Sequence, residues 1–198
     1  MKNSEYILFL DLDGVLVDYS SGWWVMCKQL GIKKVKDKDF SEEELIQISH
    51  HIKSPAFWSG LGWEYGGEAL WEAANELFDN IHVLTSTAAK ADNDYHKIVS
   101  QGKVEWIVDH LEGMSPSNIH IVTEGLRKAS FATKNSILVD DRRSTIEEFN
   151  TAGGFGILHN SKQYKKTIYD LVEIAAPVNL GEMAKRLPIV SRSFWNVK

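Results

Sequence analysis

The chain cannot form an internal disulfide, because Cys27 is its only cysteine. That suits a reducing compartment, and without a local nucleophile signature Cys27 reads as a small core residue. Four prolines and 14 glycines in 198 residues are too few for a linker-rich or collagenous protein. A basic excess is also missing. The chain has 22 Lys and Arg against 27 Asp and Glu, a net charge of −5, so nucleic acid is not an expected partner. The basic run Lys33-Lys34-Val35-Lys36 is followed at once by Asp37, Asp39 and Glu42-Glu43-Glu44, which reads as a solvated loop. No apolar run approaches the ~20 residues of a membrane span, and the N-terminal one, Tyr6 to Leu10, is cut short by Asp11 and Asp13. These absences predict a soluble, cytoplasmic protein with no membrane partner.

The hydrophobic share is 43% and the aromatic share 11%, enough for one domain with a substantial core. Four short apolar runs read as parallel strands buried on both faces: residues 6–10, 81–84, 119–122 and 136–139. A fifth candidate is Gly156-Ile157-Leu158-His159. Helical spacing appears over residues 67–78, 103–111 and 144–152, the last with Ser144 and Glu147 placed for a capping box. Alternating strands and helices predict an α/β fold, a three-layer Rossmann-like parallel sheet. Residues 17–66 break the alternation and read as a mostly helical insertion after the first strand. Five of the seven tryptophans fall within or just after it: Trp23, Trp24, Trp58, Trp63 and Trp71.

Ligands of open α/β sheets bind beyond the carboxyl ends of the strands. The first strand ends in Asp11-Leu12-Asp13-Gly14, the second in Thr85-Ser86 and the fourth in Asp140-Asp141-Arg142. Converging carboxylates repel, and a hard divalent cation relieves the repulsion. Oxygen ligands with open positions suit Mg²⁺, which also binds substrate phosphate. The Thr85 and Ser86 hydroxyls can donate to phosphate oxygens, and Gly14 permits a sharp turn beside an anion. An Asp after a strand also serves as a helix cap, but three such ends in register point to phosphoryl transfer.

These residues resemble the motifs of the haloacid dehalogenase (HAD) superfamily. Asp11 to Asp18 is similar to its first motif, DxDGxLxD. Val83-Leu84-Thr85-Ser86 is similar to the second, and Ile137 to Arg142 to the fourth, the acidic pair. The resemblance runs from about residue 6 to 159. It implies Asp11 as the nucleophile that forms an aspartyl-phosphate, and Asp13 as the acid/base. It implies metal ligation by Asp11, Asp13 (through its backbone carbonyl), Asp140 and Asp141, and phosphate binding by Thr85, Ser86 and a lysine. Candidates for that lysine are Lys128, Lys103 and Lys134. Lys128 is favoured because it precedes Asp140 by 12 residues on a helix that could return it to the strand ends. Lys134 would lie at the wrong end of the sheet.

The resemblance further implies one HAD-like hydrolase domain over residues 1–198, with residues 17–75 forming a helical cap that selects substrate. Pro55 to Leu61 and Lys103-Val104-Glu105-Trp106-Ile107 resemble segments of 5′(3′)-deoxyribonucleotidases. That implies a (deoxy)nucleoside monophosphate as substrate, with Phe57, Trp58 and Lys103 as substrate-binding residues. Aromatic faces stack bases for roughly 1–3 kcal/mol each. Packing of the insertion is the reading for Trp23, Trp24, Trp63 and Trp71, and is equally open for Phe57 and Trp58. Rival substrates are other small phosphorylated metabolites and polynucleotide 3′ ends. A signalling receiver module is disfavoured because here the acidic pair follows the first Asp motif. A homodimer, and the role of the tail with Phe194 and Trp195, are left open.

Overall fold

The computed structural model describes residues 2–32, 40–87, 93–123 and 127–175. The Lys33 run and the tail with Phe194 and Trp195 lie outside the described residues. Five parallel strands form the sheet: β1 (Asn3–Leu10), β2 (Phe78–Ser86), β3 (Ile119–Val122), β4 (Ser136–Asp140) and β5 (Phe155–Leu158), in the order β3-β2-β1-β4-β5. Seven α-helices accompany it among the described residues: α1 (Tyr19–Gln29), α2 (Glu42–Ile52), α3 (Pro55–Ser59), α4 (Gly67–Leu77), α5 (Asn93–His110), α6 (Arg143–Thr151) and α7 (Tyr164–Ala175). No helix among them is long and apolar enough to cross a membrane.

The continuous apolar runs are explained by burial on both faces. Successive strand side chains alternate between faces, so Leu8, Leu10, Val83, Ile137 and Val139 join one core, while Phe9, Leu84 and Leu138 join the other. The larger core is closed by α4, α5 and α7 through Leu70, Leu77, Trp106, Ile107, Leu171 and Val172. The smaller is closed by Ile146 and Phe149 of α6. This is the three-layer α/β architecture that the sequence predicts. The crossover rule explains the split. From β1 to β3 the chain steps one way across the sheet, through α4 and α5. From β4 to β5 it steps the other way, so a right-handed connection puts α6 on the opposite face.

The insertion is shorter than residues 17–75. The chain leaves at Asp18 and returns at Gly62, where the Asp18 N–H donates to the Gly62 carbonyl at 2.9 Å and the Glu64 N–H to the Leu16 carbonyl at 2.8 Å. Between these points α1 and α2 share a small core of Met26, Cys27, Ile32 and Ile48, which gives Cys27 the packing role expected of it. Ser41 and Glu44 form a reciprocal capping box at the start of α2. By contrast α4 is a layer helix of the sheet, because its buried face is apolar enough to close the main core. Trp71 belongs to that core rather than to the insertion, and Trp24 is 52% exposed. The capping box expected at Ser144 is also absent: the N-cap of α6 is Arg142, with no side-chain cap.

Candidate active site

Strand order locates the site. The chain reverses its direction of travel across the sheet between β1 and β4, and ligand crevices form outside the carboxyl ends at such a reversal. Asp11 follows β1, and Asp140 ends β4. Parallel pairing of Leu10 with Val139, and an Asp11 N–H bond to the Val139 carbonyl at 3.0 Å, bring the two aspartates side by side. Oxygens of Asp11, Asp140 and Asp141 lie within 4.8 Å of one another.

Lys128 joins this cluster. Its Nζ is 2.8 Å from Asp11 Oδ2 and 2.7 Å from Asp140 Oδ2, and the residue is only 7% exposed. It does not sit on a helix proper, as the sequence suggested, but opens a single 3-10 turn, Lys128–Phe131. Burial alone would lower the Lys128 pKa, but the Asp11 and Asp140 charges outweigh burial and raise it, so the side chain stays an ammonium. Lys134 is exposed in the turn before β4, remote from the carboxyl ends.

One ammonium does not neutralise three carboxylates. Asp140 is pushed above the usual carboxylate range, first by burial and then by Asp11, against the pull of Lys128 and the Arg142 N–H. That N–H reaches Asp140 Oδ1 at 2.8 Å. Asp141 is raised to about 6, by desolvation of its carboxyl group and then by Asp11 and Asp140. A group of oxygen donors with uncompensated negative charge fits a hard divalent cation. The turn after β1 leaves room for it. The N–H groups of Val15, Leu16 and Val17 all converge on the Leu12 carbonyl at 2.8–3.0 Å, and Gly14 adopts φ +76°. A Cβ at Gly14 would lie 2.6 Å from Asp141 Oδ2, so only glycine fits that close approach.

Asp13 stands apart from this cluster. Its carboxylate Oδ2 accepts from Lys103 Nζ at 2.6 Å, and its side chain is not part of the carboxylate cluster, consistent with the backbone-carbonyl metal role that the resemblance implies for it. Lys103 also donates to Thr85 Oγ1 at 2.9 Å and to the Ser86 carbonyl at 3.0 Å. Thr85 is fully buried at the end of β2 and Ser86 half-buried beside it. Lys103 does not begin its helix, as the sequence suggested, because α5 starts ten residues earlier at Asn93. Gly102 lets α5 approach α3. A Cβ there would come within 2.5 Å of the Trp58 Cβ and closer still to the Pro55 carbonyl.

The aromatic pair of α3 divides. Trp58 is 6% exposed, donates its indole N–H to the Ile52 carbonyl at 2.9 Å and is stacked by Tyr19 at 5.7 Å. It is therefore an anchor of the insertion in this structure, with little face left for a base. Phe57 is half-buried, edge-on to Tyr19 and Trp58.

Two neighbours of the site had no signal in the sequence. Tyr95 on α5 has its phenol pKa raised by burial and by the Asp13 charge. His159 donates its backbone N–H to the Asp140 carbonyl at 2.9 Å, and its Nδ1 lies 2.9 Å from Thr167 Oγ1. Burial pushes its imidazole down to about 4. His159, Asp141 and Gly14 line one open cavity of about 1020 Å³ between β5 and α7.

No family model and no curated protein matches the sequence. Solved structures do match. A hydrolase from Streptococcus pneumoniae TIGR4 superposes with a TM-score of 0.51 at 15% identity, over 86% of this chain and 100% of that one. A HAD hydrolase of family IA, variant 3, from Entamoeba histolytica gives 0.50 at 13% identity, over 79% and 85%. The putative HAD-hydrolase YfnB from Bacillus subtilis, in a magnesium-bound crystal, gives 0.50 at 12% identity, over 78% and 86%. At such identities the likeness is one of backbone architecture, and the chain carries the fold of these hydrolases, two of which are described as HAD hydrolases.

Proposed function

We propose that the chain is a HAD-superfamily phosphatase: a Mg²⁺-dependent phosphomonoester hydrolase that works through an aspartyl-phosphate on Asp11. The observation that carries this reading is the meeting of Asp11, Asp140, Asp141 and Lys128 at the reversal point of the sheet. The magnesium in the YfnB crystal agrees with it. Asp11, Asp140, Asp141 and the Asp13 carbonyl would hold the ion. Bound there, Mg²⁺ would draw negative charge from the phosphoryl oxygens.

The protein's own groups do the rest. Asp11 attacks phosphorus in line, oriented by Lys128 at Oδ2 and by the Leu12 N–H, which donates to Oδ1 at 2.8 Å. Lys128 has two carboxylate partners among the described residues and three N–H donors, so one donor remains for a phosphoryl oxygen. Thr85 and Ser86 sit at the end of the adjoining strand, where hydroxyls assist in holding that group. Asp13 transfers the proton of the leaving alcohol.

Among phosphomonoesters, a (deoxy)nucleoside monophosphate is the first candidate. It rests on the similarity of residues 55–61 and 103–107 to deoxyribonucleotidase segments. With Trp58 stacked by Tyr19, Phe57 is the α3 aromatic that retains surface for a base. Another small phosphorylated metabolite, or a polynucleotide 3′ end, would use the same catalytic set. The test is phosphate release from a panel of nucleotides and sugar phosphates with and without Mg²⁺. Asp11→Asn should abolish turnover, and EDTA should stop it until Mg²⁺ is returned. Full activity in Asp11→Asn, or indifference to chelation, refutes the proposal.

A further inference from the structure

Among the described residues two lysines reach the site, and their donor counts differ. An ammonium has three N–H groups. Lys103 is fully committed: Asp13 Oδ2 at 2.6 Å, Thr85 Oγ1 at 2.9 Å and the Ser86 carbonyl at 3.0 Å. Lys128 has two partners among the described residues. A phosphate oxygen can therefore be met by Lys128 without loss, whereas at Lys103 it must displace an existing acceptor. Lys103 is also only 3% exposed, on an α5 held close to α3 at Gly102, with the Trp58 ring centre 5.7 Å from its Nζ. Asp13, by contrast, keeps a third of its side chain exposed. The buried partner is the cation, and the one that faces outward is the carboxyl group.

We propose that Lys103 is a positioning residue for Asp13, fixing that carboxyl group for proton transfer, and not a ligand of the substrate phosphate. The inference rests on the phosphatase reading above. In the first half-reaction an Asp11 oxygen bonds to phosphorus while the bond from phosphorus to the ester oxygen breaks. The Asp13 carboxyl proton passes to that ester oxygen, so the alcohol leaves neutral and Asp13 remains as a carboxylate. In the second, a water oxygen bonds to phosphorus, the Asp11–phosphorus bond breaks, and the water proton goes to Asp13. An ammonium bonded to Oδ2 stabilises the carboxylate as it forms in the first half-reaction. It also holds one side-chain orientation through both.

Dependence on the leaving group follows. An alkoxide needs that proton, while 4-nitrophenolate leaves unaided. Lys103→Met should lower kcat/KM by about 100-fold or more on the best alkyl phosphate of the panel, and by less than about tenfold on 4-nitrophenyl phosphate. Inhibition by inorganic phosphate should stay within about twofold of wild type, since no phosphate contact is removed. In an Asp13→Asn background, Lys103→Met should cause little further loss, because the two act as one unit. Lys103→Gln, which retains an N–H donor for Thr85, carries the same comparison if the methionine variant does not fold. Equal losses on the two substrates, or phosphate inhibition weakened in step with kcat/KM, overturn the positioning role. So does an undiminished loss in the Asp13→Asn background. A wild-type protein that releases phosphate from no ester overturns the phosphatase reading itself.

Discussion

Lys128→Met is the most informative single change to stability. The native ammonium lies between Asp11 and Asp140, which are 5% and 0% exposed, and Asp141 adds a third carboxylate to the cluster. With Lys128 the cluster carries a formal charge of about −2, and without it about −3, with Asp11 and Asp140 buried and Asp141 exposed at the rim. Removing one partner of a buried ion pair costs about 3–5 kcal/mol, because the remaining charges are left uncompensated. For a domain of this size that is a fall in Tm of about 6–20 °C at pH 7.5. The deficit should shrink at pH 5. Asp140 and Asp141 already bind protons more readily than free carboxylates, and without Lys128 they will do so at higher pH still, so protonation replaces the missing cation. Added Mg²⁺ should recover part of the loss at pH 7.5 by binding the folded state. The assay is a set of thermal melts of both proteins at the two pH values, with Mg²⁺ and with EDTA. A variant melting within about 1 °C of wild type at pH 7.5 would show that Lys128 does not balance buried carboxylates, and the charge argument for the site would fall with it.

Two further outcomes test the surroundings of the site. His159 is 3% exposed with its pKa lowered from 6.5 to about 4, so its contribution to stability is present above pH 6.5 and lost as pH falls towards 4. Wild type should therefore lose up to about 3 kcal/mol relative to His159→Leu in urea titrations across that window, and parallel curves would refute the assignment. Gly14→Ala places a Cβ 2.6 Å from Asp141 Oδ2 on a backbone at φ +76°. It should raise the Mg²⁺ concentration needed for half-maximal phosphate release by about 10- to 100-fold, and an unchanged midpoint would remove Asp141 from metal binding.

Much of the site could be read from the chain because strand ends are local signals. Asp11, Thr85 and Asp140 each close an apolar run, and parallel pairing then brings them to one rim whatever lies between. The acidic pair and the glycine of the first turn are legible for the same reason. The helices were less legible at their starts. Ser144 with Glu147 has the spacing of a capping box, yet α6 begins at Arg143, because its first turn is set by the Asp140 carboxylate bonded to the Arg142 N–H.

What the sequence by itself determined is the alternation of buried strands and amphipathic helices, and with it the three-layer sheet and the rim on which the carboxylates meet. Period-two and period-3.6 patterns are properties of neighbours along the chain. Tertiary structure alone decided how the lysines are shared: Lys128 to Asp11 and Asp140, Lys103 to Asp13 and Thr85. It also decided where the insertion ends, and that Trp58 is stacked by Tyr19 while Phe57 keeps some surface. These outcomes depend on which long side chain fills a space between elements distant in sequence, such as the close approach of α5 to α3 at Gly102. Composition and spacing carry no information about that contact until the helices are packed.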